Sequence, residues 1–277
     1  MRQLAKFLAV PALTIGITTA AYSQGRVIEE TLVLKDPTVA SPNNWVFGGA
    51  IEYTYVTGNY DLYDSNGDKI ADGKINFGLP GGNFWVGYGD TTVNLAYRKG
   101  SGTIDRDWTV GAKSRDELDQ TDVELTLRYL FRTGGRSGIT PYIIGGYMQT
   151  KFDESETITN FPAFVWTYKG VGGGPTRTTS TTYKSPLIGG GAIFPFSDKF
   201  GARADIRLTY TRAELERDDG AKYSGSGIGG GFTATGYYNI TNWLNAQAGV
   251  RFYSLNGGDV GYKNFFGLFG MLGVTIR

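Results

Sequence analysis

Charged side chains at alternate positions are the first candidates for chemistry in this sequence. In residues 201–212, GARADIRLTYTR, Arg203, Asp205 and Arg207 alternate with mostly apolar residues. Alternate side chains of an extended strand point to opposite faces, so these three charges share one face. The predicted set has eight members: Glu52, Arg98, Glu124, Arg128, Arg203, Asp205, Arg207 and Arg251. Five arginines and three acids suit an anion-preferring constriction or a ligand pocket. They also suit a salt-bridged core that fixes the strand register, and we favour this structural interpretation.

Catalysis has little support in the residue types. The chain contains no histidine, the residue that most often serves as general acid or base. A mechanism built on carboxylates alone needs a defined acid pair, whereas one acidic stretch is typical of a solvated loop face: Asp105, Asp107, Asp116, Glu117 and Asp119. We therefore expect no enzymatic activity and no cofactor.

Residues 64–72, DSNGDKIAD, resemble part of a calcium-binding loop. Asp64, Asn66 and Asp68 stand at alternate positions, but the sixth position lacks glycine and Ile75 occupies the twelfth, where such loops need glutamate. The Asn-Gly pair at 66–67 is typical of a type I′ turn. The stretch therefore predicts a protruding hairpin, and we expect no metal site.

Ten stretches have the pattern of a β-strand, and these elements must position the charged residues. They run approximately over 45–57, 80–88, 92–103, 121–132, 140–152, 182–194, 200–212, 223–238, 243–254 and 260–276. The connections after the second, fourth, sixth and eighth strands are short, and the others are mostly longer and more polar. This alternation is typical of antiparallel strands that thread a membrane, with short turns on one side and long loops on the other.

Two architectures produce strands with one apolar and one charged face. In a soluble sandwich the apolar face forms the core, whereas in a membrane barrel it meets lipid and the charged face lines the lumen. The chain has 42 glycines in 277 residues and 14% aromatic residues. Glycine adds nothing to a packed core, so this composition favours the barrel. We predict an all-β fold, a single antiparallel up-and-down transmembrane β-barrel of about ten strands, with eight or twelve as alternatives.

Residues 1–23 have the features of a secretory signal peptide. Two basic residues precede an apolar stretch at 7–20, and Ala21-Tyr22-Ser23 forms a cleavage site. The predicted organisation is a signal peptide at 1–23, a periplasmic arm at 24–44 and the barrel at 45–277. The arm either lies below the barrel, partly plugs it, or is a loosely ordered leader. A net charge of +1 gives no reason to expect a nucleic-acid partner.

The signal peptide, the ten strands and the last strand together resemble a Gram-negative outer-membrane β-barrel protein, as a class and not as one family. The final stretch, FFGLFGMLGVTIR, carries an apolar face: Phe266, Leu268, Gly270, Leu272, Val274 and Ile276. Members of the class usually end on an aromatic residue, whereas this sequence ends in Ile276-Arg277. The resemblance implies an outer-membrane protein in contact with outer-membrane lipid and lipopolysaccharide, and we expect a monomer.

The longest predicted loop, 153–181, holds four aromatic residues: Phe161, Phe164, Trp166 and Tyr168. Exposed aromatic side chains on an outer loop suit contact with an extracellular ligand, but they suit packing on neighbouring loops or lipid headgroups equally well. Two functions therefore stay open. The barrel either holds long extracellular loops that contact an external partner or surface, or forms a narrow passive channel for small, preferentially anionic solutes. We favour the first, since inward-pointing arginine and tyrosine leave a ten-stranded barrel little open bore.

Overall fold

Ten long strands form a closed antiparallel barrel in a computed structural model that describes residues 36–59, 62–63, 69–109, 111, 113–132, 138–160 and 176–277. The strands are β1 (Trp45–Asn59), β2 (Leu62–Tyr63), β3 (Lys69–Tyr88), β4 (Thr91–Trp108), β5 (Lys113–Leu130), β6 (Thr140–Asn160), β7 (Thr176–Pro195), β8 (Phe200–Arg217), β9 (Lys222–Asn239), β10 (Leu244–Asn256) and β11 (Tyr262–Ile276). The two-residue β2 pairs only with β3, and the other ten strands form the wall. Each wall strand pairs with its neighbours in the chain, and β1 closes the barrel by pairing with both β3 and β11.

The prediction of one up-and-down barrel of ten strands is confirmed. We call the end at which β1 begins and β11 ends the bottom of the barrel, and the opposite end the rim. A short 3-10 turn, Gly258–Val260, links β10 to β11 at the rim. Among the described residues, no helix has the length and apolar character needed to cross a membrane.

The apolar face of each strand points outward. Ile206 and Leu127 are 69% and 51% exposed, whereas Asp205 and Glu124 on the same strands are buried. A soluble sandwich would bury the first pair and expose the second. The observed arrangement is the one that lipid requires, so the sandwich interpretation is wrong.

The strands reach further toward the rim than the sequence predicted. Seven of them, β3 to β9, have 18 to 21 residues, about twice the 9–11 that a tilted strand needs to cross a bilayer. The predicted loops at 104–120 and 213–222 are mostly strand, because β4 runs to Trp108 and β5 begins at Lys113, and β8 runs to Arg217 and β9 begins at Lys222. In these stretches polar residues occur on both faces of the strand, so the sequence resembles a loop. The hydrogen-bonded pairing of the strands nevertheless continues through them.

Two predicted features lie partly or wholly outside the described residues. In 64–72, β3 begins at Lys69, and residues 64–68 are not described. The long loop 153–181 is shorter than predicted, because β6 runs to Asn160 and β7 begins at Thr176. The four loop aromatics, Phe161, Phe164, Trp166 and Tyr168, fall in the part that is not described.

Glycine runs in β7 and β9 allow the wall to bend. A Cβ atom at Gly189 would collide with the carbonyl oxygen of Ile206, and one at Gly231 with that of Phe252. Both carbonyls belong to the adjacent strand, so these glycines permit close approach of neighbouring backbones and serve the curvature of the wall.

Candidate functional site

The structure places all eight predicted charged residues inside the barrel. They line one internal cavity of about 140 Å³. Strand pairing explains their meeting, because the ladders bring inward-facing positions of distant strands to the same height in the lumen. By volume, such a cavity has room for roughly five to ten water molecules.

Glu52 on β1 is the centre of the charge network. Its Oε1 atom lies 2.7 Å from Arg98 Nε and 2.6 Å from Arg251 Nη2. Thr54 Oγ1 donates a hydrogen bond to the same oxygen at 2.7 Å, and Asn83 donates to Oε2. One buried carboxylate thus pairs with two arginines, which reach it from β4 and β10, and it balances the charge of one of them.

The network continues across the lumen to β8. Arg98 Nη1 lies 3.8 Å from Glu124 Oε2, and Glu124 Oε1 lies 2.6 Å from Arg207 Nη1. Arg207 Nε in turn lies 2.6 Å from Asp205 Oδ1. Six of the eight residues therefore form one continuous chain of ion pairs. Such a chain links strands on opposite walls, and removing one member leaves a buried charge without compensation.

Arg128 and Arg203, the other two members, contact a segment that precedes β1. We call residues 36–44 the plug segment, since its first five residues are buried inside the bottom of the barrel. Arg203 Nη1 lies 3.2 Å from both carboxylate oxygens of Asp36, and Arg128 donates a hydrogen bond to Thr38 Oγ1. The rest of the predicted arm, 24–35, lies outside the described residues.

The backbone of the plug segment is held by side chains of the wall. Trp85 Nε1 donates to the carbonyl oxygen of Pro37 at 3.0 Å, and Thr92 Oγ1 donates to that of Thr38 at 3.0 Å. At the end of the chain, Arg277 Nη2 donates to the carbonyl oxygen of Asp36 at 2.9 Å. Arg277 thus helps to hold the plug segment.

Asp36 is ionised in this setting. Burial alone raises the pKa of its carboxyl group, but the guanidinium groups of Arg203 and Arg128 and two hydrogen bonds from Thr38 outweigh burial and hold the pKa below its usual value. The charge of Asp36 therefore favours the docked plug segment at neutral pH.

Sequence reasoning missed two acids of this site. Asp36 belongs to no strand, and no periodicity marked it as inward-facing. The inward orientation of Asp122 could have been predicted, because it stands two positions before Glu124 on the same face of the strand. In the structure Asp122 is buried and accepts hydrogen bonds from Gln120 Nε2 at 2.9 and 3.0 Å. With both included, five arginines meet five acids, so the formal charges of this set balance.

An apolar layer fills the lumen between the charge network and the rim. We call this group of eleven buried residues the apolar layer: Val56, Ile75, Phe77, Leu79, Ile104, Leu118, Phe152, Tyr183, Ala213, Leu255 and Phe265. The rings of Phe152 and Phe265, from β6 and β11, stack with centroids 5.4 Å apart. The layer was not predicted, because its members are single apolar residues within polar stretches.

A second charge cluster lies on the rim side of the apolar layer. Lys263 Nζ lies 2.7 Å from Glu154 Oε1 and 4.1 Å from the centre of the Phe152 ring. Arg106 pairs with Asp116 and lies 3.4 Å from Glu154 Oε2. The prediction that Asp116 is part of a solvated loop face is wrong: it points into the lumen and is buried, whereas the neighbouring acids are exposed: Asp105, Asp107, Glu117 and Asp119.

Metal binding and catalysis gain no support from the geometry. In the described ranges, no group of three or more histidine, cysteine, aspartate or glutamate side chains is placed to hold a metal ion. The lack of enzymatic activity stays a prediction.

Comparison with known proteins identifies the fold of this chain but no family. No family model matches the sequence, and no curated protein matches it either. Among solved structures, the outer membrane protease OmpT from Escherichia coli aligns over 86% of this chain and 99% of its own, with a TM-score of 0.57 and 12% identity. The transport unit of the autotransporter AIDA-I from Escherichia coli aligns over 89% of this chain and 95% of its own, with a TM-score of 0.43 and 11% identity.

Ail of Yersinia pestis, solved with the heparin analogue sucrose octasulfate, aligns over 83% of this chain and 99% of its own, with a TM-score of 0.37 and 12% identity. Identities this low carry no information about activity, whereas the architecture shared with OmpT does define the fold. This chain has the fold of the outer-membrane β-barrels, and that fold supports a location in the outer membrane.

Proposed function

We propose that this protein is an outer-membrane barrel with a closed lumen, whose outer strands and loops contact an external partner or surface. The observation that carries the proposal is the filled interior. The plug segment, the charge network and the apolar layer occupy successive levels between the bottom and the rim. A barrel filled in this way is suited to act as a rigid mount.

The parts of the wall beyond the membrane provide the contact surface. On β8 the outward apolar residues end at Tyr210, and the outward positions that follow are Arg212, Glu214 and Glu216. Seven strands continue past this level, so the rim stands above the lipid as a polar, hydrogen-bonded cylinder. The four loop aromatics, Phe161, Phe164, Trp166 and Tyr168, belong to the connection between β6 and β7 in the sequence and are the proposed contact residues.

Export and assembly form part of the proposal. A signal peptide at 1–23 directs the chain across the inner membrane, the plug segment faces the periplasm, and the mature protein is a monomer surrounded by lipid and lipopolysaccharide. N-terminal sequencing of the protein from outer-membrane fractions tests this, since the mature chain is expected to begin at Gln24. A chain that retains residue 1 would contradict it.

A passive channel for small anions is the alternative, and the arginine-lined cavity is the observation that favours it. Conduction would require both the plug segment and the apolar layer to move. The buried residues of the plug segment lie on the bottom side of the cavity, and the buried apolar layer lies on its rim side.

Surface binding can be tested before the partner is identified. Fluorescent nanodiscs that hold the full chain are applied to arrays of cell-surface glycans and matrix proteins. The comparison is a variant with Phe161→Ala, Phe164→Ala, Trp166→Ala and Tyr168→Ala. We expect the wild type to bind at least one class of ligand and the variant to lose that signal. Equal signals from both proteins would remove the loop aromatics from the proposal.

A further inference from the structure

Basic side chains lie at the outer edge of the lipid-facing band on one side of the barrel only. On β4, Lys99 follows the outward residues Leu95 and Tyr97, and on β8, Arg212 follows Leu208 and Tyr210. Lys184 on β7 and Lys151 on β6 lie at the same edge. We call these four residues, Lys99, Lys151, Lys184 and Arg212, the basic belt.

The opposite side of the barrel, β9 to β11 and β1, has no cation at this level among the described residues. There the first polar outward side chains beyond the apolar band are neutral: Thr57 on β1, Ser226 on β9, Ser254 on β10 and Asn264 on β11. On β3, which adjoins β4, Asn76 is followed by Lys74, whose register partner on β4 is Asp105. An even ring of lysine and arginine would suit any anionic surface around the barrel. The one-sided arrangement indicates a localised ligand.

Strand register places the belt residues close together. Lys99 and Lys151 both pair with Thr121, from its two sides, and Lys184 pairs directly with Arg212. Adjacent strands are about 4.8 Å apart, so the belt spans about 20 Å of the perimeter. Like charges directly opposite each other are unfavourable, and an anion bound between Lys184 and Arg212 would relieve this repulsion.

The protein itself compensates only part of this charge. Lys151 Nζ lies 2.8 Å from Asp153 Oδ2, while Lys184 and Arg212 share Glu214, at 2.9 and 3.5 Å. Two carboxylates thus form the ion pairs of Lys151, Lys184 and Arg212, and one further acid, Asp119, is the next outward residue after Thr121 on β5. The Lys151, Lys184 and Arg212 side chains remain 45%, 40% and 67% exposed, so their charged groups are accessible from outside.

The depth of the belt identifies the anion. Its residues adjoin the exposed rings of Tyr97, Tyr147 and Tyr210, and tyrosine at such positions lies at the level of lipid headgroups. Long basic side chains next to an apolar band extend toward the same level. We propose that the basic belt binds the phosphate groups of a phosphorylated lipid of the outer leaflet, on the β4–β8 side of the barrel. This rests on the proposed membrane location and is independent of the external partner.

Lipid binding by matched variants tests the proposal. The belt variant combines Lys99→Gln, Lys151→Gln, Lys184→Gln and Arg212→Gln. The control variant combines Lys113→Gln, Arg115→Gln, Lys199→Gln and Lys222→Gln, which changes the net charge equally at exposed sites outside the belt. The full chain in neutral detergent is titrated with diphosphorylated lipid A and with its dephosphorylated form, and bound lipid is counted by native mass spectrometry.

We expect the wild type and the control variant to bind the phosphorylated lipid alike. Each basic side chain near an anionic surface contributes roughly a fivefold factor in affinity, so the belt variant is expected to bind at least about a hundredfold more weakly. Lys99→Arg, Lys151→Arg and Lys184→Arg together are expected to retain binding. Equal losses in the belt and control variants, or equal binding of the dephosphorylated lipid, would overturn the proposal. If the belt variant does not assemble, the two pairwise variants, at 99 and 151 and at 184 and 212, replace it.

Discussion

Arg203 on β8 holds Asp36 through contacts of 3.2 Å to both carboxylate oxygens, across 167 positions of the chain. The pair fastens a segment without secondary structure to the inside of a rigid wall. It also supplies the fifth acid that balances the five arginines of the lumen. The contact therefore serves both the closure of the bottom end and the electrostatics of the interior.

Asp36→Asn is expected to loosen the plug segment. Loss of a hydrogen bond that involves charged groups costs about 1.5–3 kcal/mol, which corresponds to a roughly 10- to 150-fold rise in the undocked fraction. The chain has no cysteine, so Val39→Cys, at a fully buried position, provides the only thiol for labelling with a soluble maleimide. The thiol should react faster by that factor in the Asp36→Asn background, whereas an exposed Asn44→Cys control should not change. Equal rates at position 39 would mean that Asp36 does not hold the segment.

Acid is expected to release the plug segment in the wild type. The pKa of Asp36 is lowered in the folded protein, so its stabilising contribution is complete above the unfolded value of about 3.9 and is lost as the pH falls through the folded value below it. Hydrogen exchange of residues 36–40 is measured in parallel on the wild type and Asp36→Asn. The wild type should be better protected from pH 7 down to about 4, and this advantage should vanish in stronger acid. An advantage that does not depend on pH would exclude a role for this ionisation.

Glu52→Gln is expected to destabilise the barrel, because Arg98 and Arg251 would lose the carboxylate they share. Removing one partner of a buried ion pair costs about 3–5 kcal/mol. Urea unfolding in detergent micelles measures the change, with the exposed Glu117→Gln as a matched control that should stay within about 0.5 kcal/mol. A small effect at Glu52 would show that water or another group compensates the two arginines.

Ile206→Lys tests which face of the wall meets lipid. Ile206 is the third of five outward side chains between Ala202 and Tyr210, so it lies near the middle of the apolar band. Lysine at the bilayer midplane costs about 2–4 kcal/mol in a membrane barrel, and little near the interfaces. Unfolding from lipid vesicles should show this cost for Ile206→Lys and almost none for Glu216→Lys above the band. A neutral effect at 206 would place this face in water.

The sequence was most informative where one face of a strand had to meet lipid. Ile206 and Leu208 alternate with Asp205 and Arg207 because a bilayer tolerates no charge on one side, and this contrast predicted the ten strands and the inward charges. Toward the rim the wall meets water outside, so the contrast disappears. The ends of β4 and β5, around Asp105 and Arg115, therefore resembled a loop.

The residues inside the barrel could be predicted only where charged and apolar side chains alternate along a strand. The apolar layer is assembled from single residues such as Ile104, Leu118 and Phe152, each surrounded by polar neighbours, and only the strand register brings them together. The plug segment has no periodicity at all. Its position depends on contacts with Trp85, Arg203 and other wall residues far away in the chain, which a local pattern does not encode.

Single-channel recording in planar bilayers tests most directly whether the lumen is closed. The plug segment and the apolar layer together predict that the wild-type protein, inserted in an assembled state shown by heat-modifiable gel mobility, gives no conductance steps in a neutral salt solution. Stable steps whose size changes in Arg128→Ala and Arg207→Ala would contradict a closed lumen and would establish an arginine-lined channel instead.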